Sequence, residues 1–148
     1  MPISYRPKVG EVLICNFGRF ELDSNGDPVL NNFDGRIPNE MIKQRMVVVL
    51  NGKLGGGRFV VPISSTLHLS SLSRGWHTPL GPENFKVTPS FAACDRWAKA
   101  DAAQMVSSKR LFKLNDGTRN FDQYLPREAV AEIQKSVVKV VSAGSLLK

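Results

Sequence analysis

Hydrophobic positions concentrate in a few short runs separated by polar, turn-rich stretches. Met46-Val47-Val48-Val49-Leu50 and Phe59-Val60-Val61-Pro62-Ile63 are almost continuously apolar and are bounded by Asn51-Gly52 and Gly55-Gly56-Gly57. Unbroken runs of this length predict buried strands, and the short glycine-rich link predicts an antiparallel pair. Val9-Gly10-Glu11-Val12-Leu13-Ile14-Cys15-Asn16-Phe17 has apolar residues on both faces of its centre and predicts a first strand, central in a sheet. Trp97-Ala98-Lys99-Ala100-Asp101 alternates apolar and charged residues, which predicts a strand continued by Gln104-Met105-Val106. Leu111-Phe112-Lys113-Leu114 runs into an Asn115-Asp116-Gly117 turn. Helical spacing occurs near the C-terminus, at Val130, Ile133, Val137 and Val140. Pro126 suits the first turn of that helix, and Glu128 complements its N-terminal dipole.

Two stretches lack periodicity. Residues 18–42 contain Asn25-Gly26-Asp27-Pro28, Asn31-Asn32 and Asp34-Gly35, which predict a long loop with room for a small hairpin. Residues 67–92 are rich in Ser, Pro, Gly and His and predict a second long loop, with a short strand near Phe85-Lys86-Val87. Loops of this length are usually functional or mobile. The order is strand, long loop, three or more short strands, then a terminal helix. It predicts a mainly β (α+β) chain: a small curved antiparallel sheet with a helix over one opening. At 148 residues the expectation is one domain spanning 1–148, with its core at about 8–142.

Charge changes this picture most. The net charge is +7, and the excess is local: residues 58–119 hold nine Lys/Arg against four Asp/Glu, while residues 1–57 hold seven against six. A basic middle segment predicts a polyanionic partner. Cys15 and Cys94 lie among apolar or small neighbours at no motif spacing, and the two histidines add no ligand pattern. Buried thiols are expected, with no metal and no cofactor. No apolar run is long enough to span a bilayer, and Met1-Pro2-Ile3-Ser4-Tyr5-Arg6-Pro7 has no signal-peptide pattern, so a cytoplasmic protein without a membrane role is expected.

If the two central runs pair antiparallel, Arg45 at the start of one lies near Ser64 at the end of the other. A guanidinium beside hydroxyls at one rim of a sheet supplies the ingredients of a phosphodiester site. Ser65 and Thr66 extend the hydroxyl cluster, although Ser-Ser-Thr also suits an ordinary turn. Lys99 and Asp101 would share a face of an extended strand. Glu40 and Lys43 border the first loop; Glu40 is an alternative base, set against the reading of a solvated loop charge. His68 and His77 lie in the second loop, where histidines are more often bystanders than acids or bases. Trp76, between Arg74 and His77, is a candidate platform for an unpaired base, whereas Phe17 reads as core.

Four blocks, in this order, resemble the MazF/PemK toxins of type II toxin–antitoxin systems. They are Val9-Gly10-Glu11-Val12-Leu13; Lys43-Gln44-Arg45 leading into Val47-Val48-Val49-Leu50; Val60-Val61-Pro62-Ile63-Ser64-Ser65; and Lys99-Ala100-Asp101 ahead of a closing helix. The resemblance spans about residues 8–142. The chain has Arg45-Met46 where the family usually has Arg-Pro, and Ser64 where threonine is usual. It has Lys99 where some members have arginine. The resemblance implies a small SH3-like barrel, usually a homodimer, that cuts single-stranded RNA without metal and is held by a cognate antitoxin. Read together with the chemistry of the residues, the expected catalytic set is Arg45, Ser64, Lys99 and Asp101, with Lys43, Ser65, Thr66, Trp76 and Glu40 as candidates for contacting substrate. On this reading Arg45 clamps phosphate, Ser64 donates to it, Lys99 stabilises charge and Asp101 is the acid. Two alternatives stand beside it: a CcdB-like toxin that inhibits gyrase by binding, and a non-catalytic barrel that binds RNA or an acidic peptide.

Overall fold

The computed structural model describes residues 1–147. Five strands of two to eleven residues build the centre and far edge of the sheet: β1 (Val12–Asn16), β2 (Gln44–Leu54), β3 (Gly57–Ser64), β6 (Gln104–Ser107) and β7 (Leu111–Phe112). β4 (His77–Leu80) and β5 (Arg96–Lys99) complete it. The path of strands is β4-β5-β3-β2-β1-β7, with β6 also on β3, and every pairing is antiparallel. β3 changes partner along its length: Gly57 to Val60 pair with β6, whereas Ile63 and Ser64 pair with β5. That switch curls the sheet, but its outer strands β4 and β7 do not meet, so the barrel stays open.

The apolar runs are continuous because both faces of the sheet are covered. On one face Val12, Met46, Val48, Val61, Ile63 and Ala98 pack against Val130 and Ile133 of the terminal helix. On the other, Leu13, Cys15, Phe17, Val47, Val49, Val60, Val106 and Leu111 form a second cluster. The helix occupies Arg127–Val140 (α2), with Pro126 as its N-cap, one residue ahead of the first turn where the sequence places it; a short helix, α1 (Leu69–Ser73), precedes β4. One buried polar tie, Thr78 Oγ1 to Ser136 Oγ at 2.8 Å, fixes α2 against β4. A small hairpin of β8 (Leu114–Asn115) and β9 (Asn120–Phe121) leads into the helix.

The second loop departs from expectation. It holds α1 and β4, and a single 3₁₀ turn, Pro82–Asn84, stands just before the position where Phe85-Lys86-Val87 predicted a strand. Pro79 hides β4 from a reading of the sequence, because proline interrupts strand patterns; β4 is an edge strand, where proline is tolerated. Pro62 is accommodated differently, at the point where β3 exchanges β6 for β5. The predicted strand over Trp97–Asp101 also stops early. It ends at Lys99, and Ala100–Ala102 form a 3₁₀ turn before β6.

The first loop is clamped at its base. Phe17 N–H donates to the Lys43 carbonyl (2.8 Å), Lys43 N–H to the Gly18 carbonyl (2.7 Å) and Arg36 Nε to the Phe17 carbonyl (2.9 Å). Lys43 adopts a left-handed φ of 72°, which aims the chain into β2. Inside the loop, Asp23–Asp27 forms the turn that Asn25-Gly26 foretells.

Cys15 is fully buried, and burial pushes its thiol up to about 12, with Arg110 and Arg36 pulling weakly the other way. Cys94 is only half-buried. A thiol reagent at neutral pH should therefore label one cysteine, Cys94, and reach Cys15 only in denaturant; mass spectrometry of the labelled peptides checks this.

Candidate active site

The β2–β3 pairing sets the site. Val47 faces Pro62 in register, and two residues further out that register brings Arg45 to the level of Ser64. Ser64 pairs in turn with Trp97 on β5, which brings Lys99 alongside Pro62. Alternation places Arg45, Pro62, Ser64 and Lys99 on the sheet face opposite α2. Arg45, Ser64 and Lys99 line one small cleft of about 50 Å³ with Met41, Pro62 and Ile63.

The cleft is lined by donors and cations, the groups an anion site needs. Arg45 is held by one bond, Nε to the Ile42 carbonyl at 3.1 Å, which orients the guanidinium. Among the described residues, neither Arg45 nor Lys99 belongs to an ion pair. Two cations that line one cleft without an ion-pair partner among the described residues can attract a shared anion. Ser64 Oγ accepts from Thr66 N–H at 3.0 Å. Its hydroxyl therefore serves the turn as an acceptor and keeps its own proton for a ligand.

Asp101 stands elsewhere. The 3₁₀ turn removes it from the strand alternation that would have put it on one face with Lys99. It lines an adjoining hollow of about 310 Å³ with Arg36, Asn39, Glu40 and Gln104, and Met41 forms part of the wall of both spaces. Its Oδ1 lies 2.8 Å from Nε2 of His77, within hydrogen-bonding distance. Glu40 also lines the hollow, with Oε1 taken by Ile37 N–H at 2.8 Å.

The remaining candidates are dispersed. Lys43 lines a larger hollow, about 540 Å³, with Asn16, Arg19, Phe20 and Gln44. Ser65 and Thr66 are exposed just beyond the cleft. Trp76 is half-buried outside the cleft, and the Arg74 guanidinium lies 4.9 Å from its ring centre. His68 is exposed and bonds through Nδ1 to Ser71 Oγ at 2.9 Å. The role of His77 escaped sequence reasoning: its partner is 24 residues away, and the strand that carries it was hidden.

The sequence profile described as PemK-like, MazF-like toxin of type II toxin–antitoxin system matches residues 24–141. The chain belongs to this family. Two curated relatives match nearly end to end. A putative uncharacterized protein, YifN, of Escherichia coli K12 is 45% identical over 148 residues, covering 99% of each chain. An uncharacterized protein of Haemophilus influenzae is 41% identical over 143 residues, covering 97% of this chain and 95% of that one. Among solved structures, an endoribonuclease from a mycobacterial species superposes with a TM-score of 0.54 at 10% identity, covering 93% of both chains. At that identity the likeness establishes a shared fold. No helix among the described residues is long and apolar enough to cross a membrane.

Proposed function

We propose that this toxin-family protein is a metal-independent, sequence-specific endoribonuclease acting on single-stranded RNA. The observation that carries the reading is the convergence of Arg45, Ser64 and Lys99 on one cleft whose cations have no carboxylate partner. Such a cleft fits a scissile phosphate. The Arg45 fork binds two phosphate oxygens, and Ser64 Oγ–H donates to one of them. The 2′-oxygen attacks phosphorus and forms the 2′,3′-cyclic phosphate as the bond to the 5′-oxygen breaks.

The ribose that carries the attacking hydroxyl would lie across Met41, between the cleft and the Asp101 hollow. With Nε2 of His77 2.8 Å from its Oδ1 and serving as donor to an ionised carboxylate, we assign Asp101 as the acceptor of the 2′-hydroxyl proton, in place of the acid role suggested by the sequence. Lys99 stabilises the phosphorane charge and supplies the proton taken by the leaving 5′-oxygen; water restores both groups. A cognate antitoxin, a cytoplasmic setting and a homodimer complete the proposal, and family membership supports the first of these most directly.

The test is incubation of purified protein with a mixed single-stranded RNA in EDTA. Discrete fragments ending in 2′,3′-cyclic phosphate and 5′-hydroxyl are expected. Intact RNA, with growth arrest retained, would refute the nuclease reading and favour a CcdB-like binder. Ser64→Ala should slow cleavage by about 10–100-fold, the loss of one hydrogen bond to a charged group, with little change in thermal stability. Single-turnover rates beside a melting curve measure both effects.

A further inference from the structure

We propose that His77 is a positioning residue: a buried imidazole that fixes the Asp101 carboxylate at the edge of the cleft. This rests on the endoribonuclease reading.

Burial divides the labour within the pair. His77 is 4% exposed, whereas the Asp101 side chain is 34% exposed and lines the hollow beside the cleft. Nε2 of His77 lies 2.8 Å from Asp101 Oδ1. Nδ1 is buried and has no hydrogen-bond partner. A neutral ring with its proton on Nε2 meets both conditions, since a bare acceptor is the less costly group to leave unpaired. Among the described residues no group stands in hydrogen-bonding contact with Nδ1, which suits a holding role better than a relay. The imidazole therefore holds the carboxylate still, and Oδ2 is left for substrate.

The backbone reinforces this arrangement. His77 pairs with Lys99 across β4 and β5. Immediately beyond, Ala100 N–H donates to the Trp76 carbonyl at 3.0 Å, so the turn carrying Asp101 is bonded to the residue before His77. The His68 ring stands 6.0 Å from that of His77, tilted by 57°. The 3₁₀ turn swings Asp101 off the strand, and His77 defines where it stops.

The test compares His77→Leu, which removes the donor, with His77→Gln, whose amide nitrogen can replace Nε2. Both are checked for a native melting curve. With wild-type protein first shown to cleave RNA, His77→Leu should lower kcat by about 10–100-fold with KM changed less than about threefold, and His77→Gln should recover most of the loss. A folded His77→Leu variant with wild-type kcat, or equal losses in both variants, would overturn the assignment. Nitrogen-15 NMR of the wild-type ring is independent of activity and of whether the variants fold. It should show a proton on Nε2, slow to exchange and perturbed by Asp101→Asn. A ring protonated only at Nδ1 would also overturn it. Absence of cleavage by wild type alone would instead count against the nuclease reading, and the NMR result would still decide the pairing.

Discussion

Arg45→Ala should reduce RNA cleavage by about a thousandfold or more and abolish growth arrest, while the protein stays folded. Removing one donor from a preorganised oxyanion site costs about 10²–10³ in rate, and a guanidinium gives up a full charge as well. Within the fold the side chain supplies one hydrogen bond, Nε to the Ile42 carbonyl, so the stability cost should be about 1 kcal/mol. Arg45→Lys should recover little, because an ammonium cannot span two phosphate oxygens in a plane. Single-turnover cleavage and a urea titration on the same preparations separate the two effects. A folded Arg45→Ala variant that cleaves within tenfold of wild type would remove Arg45 from the chemistry.

Phe17→Ala should be the most damaging core substitution, costing about 3–5 kcal/mol. Phe17 is fully buried among Leu13, Cys15, Val47, Val60 and Leu111 on the sheet face away from α2. Its backbone ties down the first loop, through the Lys43 carbonyl at the loop's end and the Arg36 side chain within it. The cavity would open beneath that loop, which also supplies Met41, the wall shared by the cleft and the Asp101 hollow. Urea unfolding measures the loss; a cost below about 1 kcal/mol would mean that the loop collapses into the space and that the packing is less specific than the burial indicates.

The β2–β3 pair was readable because its signals agree. The runs are continuous and the link is glycine-rich, so an antiparallel pair with Arg45 near the hydroxyl cluster was legible; the register itself was not, because two irregularities in β2, between Val49 and Asn51 and between Asn51 and Leu54, move Arg45 from the level of Thr66 to that of Ser64. The helix was equally plain, since Val130 and Ile133 recur at one face and Pro126 marks the start. Asp101 was misplaced because alanine suits strand and turn alike. Nothing in Ala100-Asp101-Ala102 announces that the strand has stopped; hydrogen bonding of Ala100 to Trp76 decides it. β4 was missed because Pro79 reads as a breaker, and only its place at the sheet edge makes it harmless. The His77–Asp101 contact depends on both of those features, so no local pattern could have revealed it.

A crystal structure of the protein with a single-stranded RNA bearing one 2′-deoxynucleotide at the cleavage site would bear most directly on this account. The uncut phosphodiester should sit within hydrogen-bonding distance of the Arg45 guanidinium and Ser64 Oγ, with the Lys99 ammonium beside it and the sugar over Met41. A strand whose phosphates bypass that cleft, or run only through the hollow beside Arg19 and Lys43, would contradict it.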